Sequence, residues 1–313
     1  DRGLFSRNDY THFIWGIEQF LCQKEYSAWA IRWLLKMYSF REKYPISNSP
    51  LETLKIVFCP WYNITVLPQK EKIELIKEAY DKGYDVWELL YSELPGQNNS
   101  IIDATSKPKY RIIDEPVQVT NKDVTFAYNE YLKLCLDHMD YDILKWQKII
   151  EISNHFNDEI LERVSEKLLY EIQSMTDMEI TCIKEKFRKE IYRNRYYCSS
   201  EWAMKEPLIG KLEYIMNELH VQNEIYDYRY LFIGTYEFPL LHPCPYSDDE
   251  KREVNEKLIN DEILEGIRRF KERNLDIVSL VNICSELEYT TLGIYLFKVY
   301  TNNQFDIELF KEL

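Results

Sequence analysis

Apolar residues recur at spacings of three and four along most of the chain, the pattern that gives a helix one water-excluding face. One stripe runs Phe13, Ile14, Ile17, Phe20, Leu21, a second Ile31, Leu34, Leu35, Tyr38, and a third Trp87, Leu90, Tyr91, Leu94. Ile160, Val164, Leu168 and Ile172 step by four, and Val278, Val281, Cys284 and Leu287 carry the pattern toward the end. Helix starts are marked independently by a hydroxyl residue followed three positions later by glutamate, so that side chain and backbone cap one another. Ser49-Pro50-Leu51-Glu52, Thr176-Asp177-Met178-Glu179 and Ser247-Asp248-Asp249-Glu250 fit this arrangement, the first with proline at the favourable opening position.

These signals predict roughly twelve to fourteen helices joined mostly by short polar turns. The expected fold class is all-α, an irregular α-solenoid or a stack of antiparallel helix pairs with no significant sheet. No fixed repeat length or tetratricopeptide or ankyrin consensus recurs, which makes any solenoid irregular. Three connections are longer than the rest: Cys59 to Pro68, Pro95 to Thr120 and Gly234 to Tyr246. The middle one is long for a compact domain and suggests a seam. The expected organisation is therefore N-terminal helical pairs over 1–96, a connecting loop over 97–120 and a C-terminal helical array over 121–313, with one continuous solenoid as the alternative.

Composition narrows the functional classes. The 313 residues include only 8 glycines, scarce for hairpin-rich β folds, and no GxGxxG, GxxxxGK[ST] or GxSxG occurs, so the usual dinucleotide, nucleotide and α/β-hydrolase signatures are missing. No apolar run approaches the ~18 residues that cross a bilayer; Arg32 and Lys36 interrupt the stretch from Ala28 to Met37. A membrane partner is not expected. The net charge of -14 repels a phosphate backbone, so nucleic acid is not expected either. The basic stretch Lys184 to Arg195 reads as a solvated helix face. Seven cysteines without CxxC suggest free thiols in a reducing, cytoplasmic setting, and the start at Asp1-Arg2-Gly3 reads as a fragment of a larger protein.

Candidate chemistry is sparse. None of His12, His138, His155, His220 and His242 forms an HxxxH or HExxH pair. His242-Pro243-Cys244 offers two metal-binding side chains from one loop but lacks a second pair, and a structural proline loop is favoured. Cys135 and His138 share one helix face as a possible nucleophile and base, yet Leu132, Leu136 and Met139 on that face favour packing. The acidic pairs Asp140/Asp142 and Asp248/Asp249 suit helix starts. Tyrosines cluster at Tyr192, Tyr196, Tyr197 and at Tyr226, Tyr228, Tyr230, in numbers that divide between core packing and an interface role. No catalytic, cofactor-binding or metal-binding residue is expected, and no cofactor.

Asn48-Ser49-Pro50-Leu51, followed by Val57-Phe58-Cys59-Pro60-Trp61-Tyr62, resembles a segment of large bacterial STAND-type proteins, P-loop NTPases with helical C-terminal regions. Asn63-Ile64-Thr65 stands where that family tends to have Pro-Gln-Thr. The resemblance continues in order through Val86-Trp87-Glu88-Leu89-Leu90, Leu94-Pro95, Lys107-Pro108-Lys109-Tyr110-Arg111, Glu201-Trp202-Ala203-Met204 and Tyr230-Leu231-Phe232. It implies a C-terminal sensor or scaffold region, with the ATP-binding residues elsewhere, in a family many of whose members defend against phages. The expected function is a non-catalytic module that binds a protein ligand, plausibly from a phage, and relays that event to an upstream effector. The alternative is an all-α enzyme with a cleft under 95–120 or 234–246.

Overall fold

Helices form where apolar stripes and terminal signals coincide, and the computed structural model contains thirteen α-helices and three 3-10 segments among its described residues. Those residues are 7–40, 49–97, 100–103, 105–109, 113–233, 240–246, 249–285, 287 and 291–300. No strand pairing into a sheet occurs among them, so the all-α fold class is correct. The chain divides into two compact units, 1–139 and 140–313.

The first unit holds α1 (Arg7–Glu18), α2 (Ser27–Tyr38), α3 (Pro50–Phe58), α4 (Gln69–Asp81), α5 (Trp87–Ser92) and α6 (Asn121–Asp137). Helix α2 packs on α4 and α4 on α6, forming one row, while α3 packs on α5. Contacts of α2 with α3 and of α5 with α6 join the rows. Stacking next-but-one neighbours in this way buries the stripe of each helix against the following pair, as in an α-solenoid. The core is made by Ile31, Leu34, Val57, Phe58, Ile76, Trp87, Leu90 and Tyr131, each at most 1% exposed.

The Pro95–Thr120 connection belongs wholly to this unit, and the division between units falls after Met139 instead. Its described parts are laid along the helices as a strap. Ser106 N–H donates to the Glu18 carboxylate at 2.8 Å, and Asp114 N–H donates to the Cys22 carbonyl at 3.0 Å while Lys24 N–H donates to its carboxylate at 2.7 Å. Val117 N–H reaches the Thr65 carbonyl, and the Asn63 amide donates to the Val117 carbonyl. A loop with its backbone groups satisfied by the body beneath it needs no secondary structure of its own.

The second unit holds α7 (Ile143–Glu151), α8 (Asp158–Glu171), α9 (Asp177–Tyr196), α10 (Glu206–Glu218), the 3-10 segment Glu224–Phe232, α11 (Asp249–Glu272), α12 (Ile277–Cys284) and α13 (Leu292–Tyr300). Next-but-one packing recurs in α7 on α9, α8 on α10 and α11 on α13. Leu231, Phe232, Ile267, Phe270, Leu280 and Leu296 form one core beneath α11, α12 and α13. Gly266 matters here, because a Cβ at that point would lie 2.3 Å from a Leu231 methyl.

Helix ends show which sequence signals became geometry. The Thr176–Glu179 box forms in both directions, and Thr120–Asp123 makes the same box with aspartate in place of glutamate. Ser49 is the N-cap of α3 but makes no side-chain cap bond, so the expected box does not form; the Glu52 N–H donates to the Ser49 carbonyl at 3.3 Å instead, with Pro50 at the opening position. Ser247 and Asp248 lie outside the described residues. Helix α4 ends in a Schellman turn through Gly83 at φ 75°, with Tyr84 N–H on the Ala79 carbonyl and Gly83 N–H on that of Tyr80. Asn274, at φ 54°, plays the same part after α11.

Candidate functional site

The expected stripe on α1 places five residues in the core, and the structure takes only three. Ile14, Ile17 and Leu21 are buried, whereas Phe13 is 51% exposed and Phe20 is partly exposed. A helix has one buried face about 100° wide; Phe13 falls at its edge, and Phe20 lies in the turn that follows α1, its N–H on the Ile17 carbonyl. On α2 the inner face is Ile31, Leu34, Leu35 and Tyr38, and its outer edge carries Trp29 at 45% exposure and Trp33.

These outer aromatics meet one another. Phe13 and Trp33 contact edge to face with centroids 6.4 Å apart, Trp33 and Trp29 at 6.2 Å, Trp29 and Phe20 at 5.7 Å, and Phe20 and Tyr26 at 5.6 Å. Lys36 Nζ stands 5.0 Å from the Trp33 ring, a cation-π geometry. Isolated exposed aromatics are ordinary on a protein surface; here Phe13, Phe20, Tyr26, Trp29 and Trp33 form one connected group. No pattern in the primary sequence separates Phe13 and Phe20 from Ile14 and Ile17, since all four lie within one stripe.

The residues singled out for chemistry are held apart or put to structural use. His242, largely exposed, faces Glu213 at 3.6 Å, while the Cys244 peptide is held on both sides by the Asn255 amide, at 2.8 and 2.9 Å. Cys135 is fully buried, and its carbonyl accepts from Trp87 Nε1 at 3.0 Å. The His138 ring stacks flat on Tyr80, with centroids 3.6 Å apart. Asp142 caps α7 through Leu144 and Lys145, and Asp140 pairs with Lys145. No group of three metal-ligating side chains gathers among the described residues.

The tyrosine clusters divide as their burial dictates. Tyr228 packs edge to face on Phe270, and Arg188 covers the Tyr230 ring at 3.6 Å. Tyr196, Tyr197 and Tyr246 press against one another at 4.8 to 5.8 Å, leaving no gap for a ligand between their rings. The basic stretch of α9 is internally matched: Lys184 with Asp227, Lys186 with Glu151, Arg193 over Trp202, and Arg195 between Glu206 and Glu213. Asn194 fixes the Glu201–Met204 turn by accepting from Met204 N–H at 2.8 Å. A hollow lined by Asp227, Tyr228, Tyr230, Arg269, Glu272 and Arg273 measures about 270 Å³. It falls below the usual range for small-molecule sites, and its cations are engaged, Arg269 by Glu262 and Arg273 by Glu224.

No family model matches the sequence, and no curated protein or solved structure matches it.

One polar cluster escapes the periodicity reading. Lys72, fully buried on α4, donates from Nζ to the Val57 carbonyl at 2.7 Å. Beside it Tyr131 OH donates to the Phe58 carbonyl at 2.9 Å, and Gln69 Nε2 to those of Cys59 and Pro60. Three side chains thus satisfy the carbonyls that α3 leaves open at its C-terminus. Burial pulls the Lys72 ammonium down to about 7, and burial pushes the Cys59 thiol up to about 11. A polar pair at 69 and 72 in line with Ile76 and Ala79 is the signal that locates it. Enclosed on every side, this cluster caps a helix and offers no surface to a substrate.

Proposed function

We propose that this chain is a protein-interaction module, a sensor or scaffold portion without catalysis of its own. The reading rests on the connected, exposed aromatic face of α1 and α2, whose Phe13 and Trp29 remain half accessible above a complete core. Large rigid aromatics supply contact area at low conformational cost and dominate recognition energies, so such a face is suited to a protein partner. The resemblance of the Val57–Tyr62, Val86–Leu90 and Glu201–Met204 segments to STAND-type NTPases supports a place downstream of an effector, with a phage component as ligand.

A photo-crosslinking phenylalanine analogue at position 29, with a second at the 68% exposed Tyr170 as a comparison site, tests the role in bacterial cells with and without infection. Protein adducts that depend on position 29 and on infection are expected. Absence of any protein adduct from either position, in either condition, overturns the proposal.

A further inference from the structure

We infer that the ledge beneath residues 113–118 is a docking site for an extended, aspartate-bearing segment of a partner protein, which the strap occupies as an internal stand-in. This second surface extends the protein-interaction role and is tested independently of the aromatic face. Residues 113–120 run without turn or bend, and every side chain from Ile113 to Gln118 is exposed. That stretch therefore adds nothing to the core, whereas Pro108, earlier in the strap, is buried. Among the described residues, four hydrogen bonds at two points hold it. Asp114 N–H donates to the Cys22 carbonyl at 3.0 Å, and its carboxylate accepts from Lys24 N–H at 2.7 Å. Three residues on, Val117 N–H donates to the Thr65 carbonyl at 3.2 Å, and the Val117 carbonyl accepts from the Asn63 amide at 3.0 Å.

The ledge reads main chain more than side chain. Asn63 and Thr65 grip the N–H and the C=O of one residue, as main-chain bonds hold a segment added to an open edge. The Asn63 side-chain oxygen accepts from Thr65 N–H and hydroxyl, which fixes its amide toward the strap. The other point adds selectivity. Cys22 and Lys24 present an acceptor and a donor two positions apart, and a single aspartate meets both through its own N–H and its carboxylate. The carboxylate bond is charge-assisted and so the stronger of the two. The points stand three residues apart, about 10 Å of extended chain. A segment with aspartate at its first position and a free N–H three positions later therefore fits. Because the strap buries no side chain over this stretch, it opens at low cost compared with a helix. Thr65 is fully buried, and its carbonyl loses a donor when the strap lifts, which an incoming N–H restores.

The probe is a fluorescein-labelled peptide Ile-Asp-Glu-Pro-Val-Gln, a copy of residues 113–118, titrated by anisotropy against the wild type and the double variant Asp114→Ala, Val117→Pro. Both substitutions fall on exposed side chains. They remove the carboxylate from Lys24 and the N–H from Thr65, which loosens the strap and leaves the ledge intact. A site closed nine-tenths of the time or more binds roughly tenfold or more weakly than an open one, so the double variant is expected to bind the peptide tighter by at least that factor. Amide exchange gives a second readout. Lys24 N–H, bonded to Asp114 in the wild type, should lose protection in the double variant and regain it with peptide. Peptides with lysine in place of aspartate, or N-methylated at valine, should not bind. Any of four results overturns the inference: loss of helical structure in the double variant, which would make the strap part of the fold; unchanged protection at Lys24; binding to the double variant no tighter than to the wild type; or equal binding of either altered peptide. The adducts at position 29 are read in a separate experiment, so the interaction role of the aromatic face and this ledge can each fail alone.

Discussion

A single lysine shows how location overrides residue type. Lys72 is charged in almost any exposed setting, but inside α4 its ammonium sits where charge is costly and only the carbonyl end of α3 offers compensation. Its folded value of about 7 lies below the ordinary 10.5, so between those two pH values the unfolded chain binds more protons than the folded one. Stability must then rise with pH across that window. The opposite holds for Cys59, raised from 9.0 to about 11; above pH 9 the unfolded thiol ionises first and stability falls. The clean window for Lys72 is therefore pH 7 to 9. Urea unfolding followed by tryptophan fluorescence should show a gain across it on the order of 1 kcal/mol or more. Lys72→Met should abolish that gain and be relatively most favourable near pH 6. A flat profile in the wild type would refute the charge assignment.

Among elements, two helical glycines make opposite forecasts from the same substitution. Gly210, exposed on α10, has open space where a Cβ would go, so Gly210→Ala should stabilise by about 1 kcal/mol through helix propensity alone. Gly266→Ala gains the same propensity but drives a methyl into Leu231, which is 1% exposed and packed among core residues. Overpacking costs about 1 to 3 kcal/mol, so net destabilisation is expected. Denaturation midpoints of the two variants check both signs, and a stable Gly266→Ala would mean that Leu231 has room to turn. Helix α12 makes a related point. Its expected stripe of Val278, Val281, Cys284 and Leu287 is replaced by Leu280, Ile283 and Cys284 as the buried set. A helix of eight residues that is apolar nearly all round has no pattern from which to read its inner face.

For the whole molecule, long-range ties and net charge decide what local signals cannot. Asn63 binds four groups at once, accepting from Thr65 N–H and hydroxyl and donating to the Leu67 and Val117 carbonyls. It thereby fixes the strap to the loop between α3 and α4, and Asn63→Ala should cost about 1 to 3 kcal/mol. Loss of amide-exchange protection at Thr65 and Val117 would accompany that cost, and unchanged protection would contradict the tie. The charge of -14 sets a second expectation. Exposed ion pairs such as Arg252–Glu256 contribute little each, whereas repulsion among excess carboxylates acts throughout the chain and is screened beyond ~10 Å at 0.1 M salt. Raising salt from low ionic strength to 0.15 M should therefore raise the thermal midpoint, and a fall would show that local pairs prevail.

The sequence by itself determined the helices, the Thr176 box, the start of α3 at Ser49-Pro50, and the burial of residues such as Ile31, Leu34, Ile160 and Val164, because spacing and capping act within a few residues. It also placed Asp140 and Asp142 at a helix start, where Asp142 does cap α7. Only the tertiary structure decided that Phe13 and Phe20 are left partly exposed beside Trp29 and Trp33, that Lys72 is buried, and that the described parts of the 97–120 stretch are tied to the helices of one unit. Each of those depends on which neighbour covers a surface, and a neighbour brought in from 15 to 90 positions away leaves no trace in local periodicity.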